Sequence, residues 1–176
     1  MRKASHFFLF VTALFGAFGC GPRFKKMPDD FSVRVSWNNG SLPPEFRMEY
    51  VFTIGPGPQG QFEHIPGYAD EGDSDRWTQD LGISESNLEY LYDYAIRKNL
   101  LRSKWNTGQQ LIGGSDGRVV ITAHGKEYQL PRLSALQGSD LATVKGAMAV
   151  FRAFVPPEVW DEMETRQEAF EAGFDK

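Results

Sequence analysis

The seven residues FSVRVSW at positions 31–37 decide the fold of this chain. Apolar and polar side chains alternate strictly here, so Phe31, Val33, Val35 and Trp37 share one side of the segment. A period of two is typical of a β-strand that buries one face against a core. The sequence therefore predicts a half-buried strand at residues 31–37, with turns at both of its ends.

Further segments carry the same strand pattern, and glycine and proline separate them. Residues 47–54 place Met48, Tyr50, Phe52 and Ile54 on one side. The run GPGPQG at residues 55–60 is predicted to form a loop, because neither a helix nor a central strand accepts this composition. More strands are predicted at residues 61–65, 77–81, 118–123 and 127–130, and the last two form a hairpin around residues 124–126.

Two segments show the three- and four-residue spacing of amphipathic helices. The first spans residues 86–101, with Ser84 or Ser86 as its N-cap. The second spans residues 140–155, where Ser139 or Asp140 is placed to cap it. Pro156 ends this second helix and Pro157 can open a further one as its first residue.

These elements predict an α+β fold, an antiparallel sheet built from hairpins with two main helices packed on one face and a C-terminal helical extension. A single domain is expected at residues 31–163, followed by an acidic tail at residues 164–176. Thirteen side chains are predicted to form the core: Val33, Val35, Tyr50, Phe52, Leu88, Leu91, Ala95, Val119, Ile121, Leu141, Val144, Met148 and Phe151.

The first twenty residues have the pattern of an export signal. Arg2 and Lys3 are basic, and residues 7–19 form an uncharged apolar run that is too short to cross a bilayer. The run ends at Cys20, the only cysteine of the chain, so no intrachain disulfide is possible. The ending AFGC at residues 17–20 resembles the lipobox of bacterial lipoproteins.

That resemblance implies a lipid anchor. In lipoproteins the cysteine thiol carries diacylglycerol, the chain is cut before the cysteine, and the new amine is acylated. Residues 1–19 would then be a signal peptide, and residues 20–30 would be lipidated Cys20 and a tether. Gly21 follows the cysteine, which by the same resemblance favours the outer over the inner membrane.

Two alternatives concern this N-terminal region. Ala17 and Gly19 also satisfy the small-x-small rule of the common signal peptidase, which would give a simply secreted protein cut at the same bond. Arg23, Lys25 and Lys26 could contact anionic head groups, but three charges are few for that role and a solvated linker is the better interpretation.

Charge and loop composition argue against several classes of ligand. Without residues 1–19 the chain has 157 residues, and the loss of two basic side chains moves its net charge from −4 to −6. Nucleic acid is therefore not expected as a partner. The acidic run at residues 70–75 lacks the spacing of a calcium loop. The glycine-rich segment at residues 106–117 lacks the lysine and hydroxyl ending of a phosphate loop.

The sequence contains no complete catalytic or metal-binding constellation. Beyond the signal, its histidines are His64 and His124, and the chain has no His-x-x-x-His or Cys-x-x-Cys motif. No catalytic residue, metal or cofactor is therefore predicted, and Cys20 is the one predicted site, for lipidation.

Two classes of function stay open. The first is a non-catalytic binding or structural module of the cell envelope, held at the membrane by its lipid and contacting an envelope protein. The second is a small extracytoplasmic hydrolase or a hydrolase inhibitor. An exposed aromatic patch on the sheet would favour the first class. A cleft holding His64 or His124 beside a carboxylate would favour the second.

The domain also resembles an uncharacterised family of small exported bacterial proteins, from about residue 31 to about residue 170. The resemblance supports the α+β fold and brings no activity or site residues. It rests on FSVR at 31–34 with Trp37, GSLPP at 40–44, Tyr50, the helix motif around residues 88–92 and 99–101, GGS at 113–115, residues 125–131, and Val155, Pro156, Val159 and Trp160.

Overall fold

The structure is a computed structural model that describes residues 26–68, 75–109 and 114–174. Over these ranges the chain forms a six-stranded antiparallel sheet, three α-helices and one short 3-10 helix, which confirms the α+β class. The export signal, Cys20 and most of the acidic run at residues 70–75 lie outside the described residues.

The sheet has the strand order β4-β3-β2-β1-β5-β6, with every neighbouring pair antiparallel. The alternating segment at residues 31–37 supplies β1, which lies between β2 and β5. The strands are β1 Ser32–Asn38, β2 Met48–Ile54, β3 Gln59–Pro66, β4 Trp77–Gly82, β5 Asp116–Ala123 and β6 Lys126–Gln129.

The predicted alternation decides which side of the sheet is buried. Val35 of β1 lies in register with Phe52 of β2 and Val119 of β5, and all three side chains are fully buried. We call the side that carries Val35 the inner face. Arg34 and Ser36 point to the opposite, outer face, and Arg34 is exposed.

The first helix, α1 Glu85–Arg97, begins where one of the two predicted caps places it. The Ser84 side chain accepts a hydrogen bond from the backbone N–H of Asn87 at 3.2 Å. The helix ends four residues before the predicted position 101. Asn99 adopts a left-handed conformation with φ of 52°, and the backbone N–H of Leu100 closes the turn on the carbonyl of Ala95.

The second helix, α2 Gly138–Arg152, begins after Gln137, and the predicted caps Ser139 and Asp140 are wrong. The Asp140 carboxylate instead accepts hydrogen bonds from the Asn106 backbone N–H and the Arg102 guanidinium, both at 2.7 Å. These contacts, the Asn106 N–H first, lower the pKa of Asp140. The carboxylate thus holds a neighbouring loop rather than the helix.

Twelve of the thirteen predicted core side chains are buried, and Leu141 is the exception. Leu141 is half-buried because it lies one turn before the buried stripe of α2, which runs through Val144, Ala147, Met148 and Phe151. Leu141 is in phase with this stripe, three residues before Val144, and packs against the core as a half-buried side chain.

The third helix, α3 Pro157–Phe174, opens on Pro157 as the sequence predicts. The expected domain boundary at residue 163 falls inside it. Its buried residues Val159, Met163 and Gln167 follow each other at intervals of four, so the packed face continues beyond that boundary. No helix within the described ranges is long and apolar enough to cross a membrane.

The sheet has two distinct ends. We call the end where β1 begins the tether end, since the segment from Cys20 enters the domain there, and the opposite end the far end. The Asp30 carboxylate accepts the backbone N–H groups of His124 and Gly125 at 2.9 and 2.5 Å, which fixes the entering chain on the β5–β6 hairpin. Seven residues of β1 separate the ends by roughly 20 Å.

Candidate binding surface

The far end of the sheet carries a group of five large apolar side chains, four of them exposed, which we call the far-end patch. Its members are Leu42, Phe46, Tyr68, Phe170 and Phe174. Phe46, Tyr68 and Phe174 are 52%, 58% and 55% exposed, although isolated aromatic rings of this size are usually more buried. Part of the patch borders an open depression of about 310 Å³. Exposed apolar side chains grouped in this way make the far end a candidate interaction surface.

Tyr68 is held in place despite its exposure. The Arg47 guanidinium lies 4.6 Å from the ring centroid of Tyr68, and the Tyr68 hydroxyl donates to the Leu42 carbonyl at 3.0 Å. Arg47 also donates to the Gly67 carbonyl at 2.6 Å and to the Glu49 carboxylate at 3.0 Å. An aromatic ring already fixed on both sides loses little freedom when a partner binds.

The loop that presents Phe46 is fixed as well. The Asn39 side-chain amide donates to the Phe46 carbonyl at 2.7 Å, and its oxygen accepts the Met48 backbone N–H at 2.9 Å. The backbone N–H of Phe46 closes a turn on the Pro43 carbonyl at 3.0 Å. Phe46 is therefore an exposed ring on an ordered loop.

A buried polar bridge connects this loop to the sheet and to α3. Gln167 faces the Nε2 atom of His64 on β3 at 3.1 Å through its side-chain oxygen. Its amide nitrogen donates to the Glu45 carbonyl at 3.4 Å and to the Glu171 carboxylate at 3.0 Å. One glutamine thus links three separate segments beneath the far-end patch.

His64 has a structural role in this bridge. Because the Gln167 oxygen accepts, the Nε2 atom of His64 carries the proton, and Nδ1 is buried without a hydrogen-bond partner. Burial is the main cause that lowers the pKa of His64; the Arg166 charge acts in the same direction and the Gln167 bond opposes it. The imidazole is fully buried and neutral at pH 7, with no carboxylate in hydrogen-bond contact.

His124 lies at the other end of the sheet, in the β5–β6 turn. Its Nε2 atom is 2.9 Å from the Tyr92 hydroxyl, and it is the backbone, not the ring, that contacts Asp30. Neither histidine lines a described depression. Within the described ranges, no three histidine, cysteine or acidic residues group as metal ligands would.

The outer face of the sheet has a different character from the far end. Its described strand positions carry no aromatic side chain, and a depression of about 260 Å³ there is lined by polar residues such as Ser36, Glu49 and Arg118. The exposed aromatic side chains expected on the sheet are thus found on loops and on α3 instead.

Sequence reasoning did not single out Tyr68, Phe170 or Phe174. The four-residue interval between the two phenylalanines was the available signal.

Two comparisons with known proteins found no relative of this chain. Neither a scan against protein-family models nor a search of curated proteins gives a match.

The neutral state of His64 predicts how stability depends on pH. Below about pH 6.5 the unfolded chain binds a proton at this histidine and the folded chain does not. The free energy of unfolding should therefore fall as pH drops from 7.5 to 5.5, by at most about 1.4 kcal/mol per pH unit. Urea unfolding at several pH values measures this slope.

Two variants separate His64 from other titrating groups. His64→Gln should flatten the slope between pH 7.5 and 5.5. His64→Asn, which likewise removes the imidazole, should flatten it to the same extent. An unchanged slope in His64→Gln would contradict the assignment.

Proposed function

We propose that this protein is a lipid-anchored binding module of the cell envelope. In this proposal the chain is exported, cut before Cys20 and held at a membrane by acyl chains, and the domain contacts an envelope protein without catalysis or cofactor. The observation that carries the proposal is the ordered, exposed far-end patch at the opposite end of the sheet from the tether entry.

In the proposed architecture the two main helices α1 and α2 cover the inner face of the sheet together. The far end of the sheet is then free for contact with a partner. Two contacts support this arrangement. Phe31, which leads into β1, meets the ring of Tyr92 on α1 with 5.3 Å between centroids. A methyl group added at Gly117 of β5 would come within 2.5 Å of the Met148 side chain on α2.

The chemistry of the patch favours a protein as partner. Tyrosine and arginine are enriched among the side chains that dominate protein interfaces, and here Arg47 stacks on Tyr68. The helix that carries Phe170 and Phe174 has six acidic side chains and one arginine, which disfavours nucleic acid. An envelope hydrolase inhibited by this contact is one partner of that class.

The point where the tether enters the domain determines how the far-end patch is oriented relative to the membrane. Residues 20–30 can span at most about 40 Å, and they enter the domain beside His124 and Gly125. The far-end patch then points away from the anchoring membrane. By the lipobox resemblance and Gly21, that membrane is the outer membrane where the host has one.

Lipidation is tested by the variant Cys20→Ser. The wild type should incorporate labelled palmitate and partition with membranes, because two or more acyl chains anchor stably. Cys20→Ser should incorporate no label, and it should leave either an uncut precursor or a soluble protein. A wild-type protein found in the soluble fraction with a free thiol and no label would replace anchoring with simple secretion.

Partner binding is tested with the variants Phe46→Ser and Phe174→Ser. Chemical cross-linking in intact cells should give a protein adduct of defined mass that both variants weaken at least tenfold, the loss typical of an interface centre. The control is Tyr90→Ser, since Tyr90 is 48% exposed on α1 outside the patch. An adduct that all three variants retain equally would refute the patch as the contact surface.

A further inference from the structure

The edge of the sheet at β4 presents backbone groups that no other described strand uses. The backbone N–H of Ile83 donates to the Pro58 carbonyl at 3.5 Å, which sets the register of hydrogen bonding between β4 and β3. Because bonding alternates along an antiparallel pair, Thr78, Asp80 and Gly82 direct their N–H and C=O groups away from β3.

The neighbouring strand pair gives the same result independently. Gly55 donates to the Gln59 carbonyl, and Gly67 donates to the Arg47 carbonyl. The odd-numbered residues of β3 therefore bond to β2, and its even-numbered residues bond to β4. The outward direction of Thr78, Asp80 and Gly82 follows from both registers.

This edge is exposed. Thr78, Gln79 and Asp80 are exposed one after another in the middle of the strand. In the described part of the chain, no backbone group of another element pairs with the outward N–H and C=O groups. The Asp80 carbonyl accepts only the side-chain amide of its neighbour Gln79, at 3.1 Å, which an incoming strand can displace.

A groove runs along this edge between β4 and α3. Its volume is about 430 Å³, within the usual range for ligand sites. Its floor includes Trp77 and Leu81, and its helical wall carries Glu158 and Glu162.

Acidic side chains outnumber basic ones in the lining of the groove. Asp80, Glu158 and Glu162 line it together with Arg166, which pairs with Glu162 at 2.8 Å and lies 4.9 Å over the Trp77 ring. The net charge of the lining is therefore negative. An open strand edge beside an acidic helix is complementary to an extended segment that carries basic side chains.

We propose that β4 receives an extended, basic segment of a partner protein as a seventh strand of the sheet. Backbone hydrogen bonds to Thr78, Asp80 and Gly82 hold the segment, as in other cases of strand addition. Side chains alternate along the added strand. Lysine or arginine at every second position on the groove side faces Glu158 and Glu162.

The other edge strand offers no equivalent site. β6, Lys126–Gln129, has only four residues, and its Lys126 ammonium group lies over the Tyr128 ring at 4.7 Å. The charges of its Lys126 and Glu127 cancel, so β6 lacks the net negative charge that the groove beside β4 carries. β6 therefore serves as an internal control for strand addition.

Amide hydrogen exchange by NMR tests the proposal on the full-length chain in detergent. The probe is an eight-residue peptide of alternating lysine and threonine with blocked ends. Exchange should slow at the backbone amides of Thr78, Asp80 and Gly82, and it should not change at Lys126–Gln129. No slowing at the β4 amides, or equal slowing at β6, would overturn the proposal.

Variants test the backbone and charge contributions separately. Asp80→Pro removes one outward N–H without touching the pairing with β3 and should abolish binding, whereas Asp80→Ala should retain it. Glu158→Gln should weaken binding by roughly two- to fivefold. Glu164→Gln removes the same charge from an exposed position of α3 outside the groove and should have no effect.

The proposal stays testable even if Asp80→Pro fails to fold. The comparison of Glu158→Gln with Glu164→Gln and a change in the charge of the peptide then test it. A peptide with glutamate in place of lysine should not bind, and equal binding of both peptides would refute the proposal. Phe46→Ser should bind the lysine peptide like the wild type. This separates the β4 edge from the far-end patch, so each proposal can fail alone.

Discussion

The packing of Trp160 on three aromatic rings of the inner face holds α3 against the sheet. The far-end patch and the groove beside β4 both include side chains of this helix. The ring of Trp160 stands edge-on to Tyr50, Phe52 and Phe62, with centroids 5.0, 6.3 and 5.1 Å apart. This geometry is favourable between aromatic rings. Burial raises the pKa of Tyr50 to about 12, so the ring beneath Trp160 stays uncharged. Since α3 supplies one wall of the groove and two rings of the far-end patch, both surfaces depend on this packing.

The sheet separates two ends of the domain that are fixed in different ways. Asp30 fixes the entering chain at one end through the β5–β6 hairpin, and Gln167 fixes α3 and the loop before β2 at the other. The strand layer between the two ends sets the distance from the entry of the chain to the patch. The polar bridge at the far end is costly to bury, and its value lies in ordering loops that would otherwise move.

Local patterns predicted most of the fold. Alternation at residues 31–37 indicated β1 correctly, because a strand with one buried face must alternate, and the spacing of α1 showed its buried stripe. Helix ends were less predictable, since Asn99 left the helix through a backbone conformation that few residues adopt and Asp140 bonded a distant loop instead of capping α2. The acidic residues after position 163 led to the prediction of a tail there. The structure continues α3 to Phe174, and Gln167 belongs to its buried face.

The candidate surfaces could not be predicted because they arise only in three dimensions. Phe46, Tyr68 and Phe174 come from two loops and a helix that are far apart in sequence. The open edge of β4 depends on the strand order, which no local pattern gives. Cys20, in contrast, is a purely sequential signal and stays a prediction of the sequence.

Fluorescence quenching tests the separation of anchor and contact surface most directly. A fluorophore is attached at Lys126→Cys or at Ser41→Cys, two exposed positions at the tether end and the far end, in protein whose Cys20 carries the proposed lipid. In vesicles with a quencher on the lipid head groups, the account predicts strong quenching at position 126 and weak quenching at position 41. Equal quenching at both positions, or the reverse order, would contradict it.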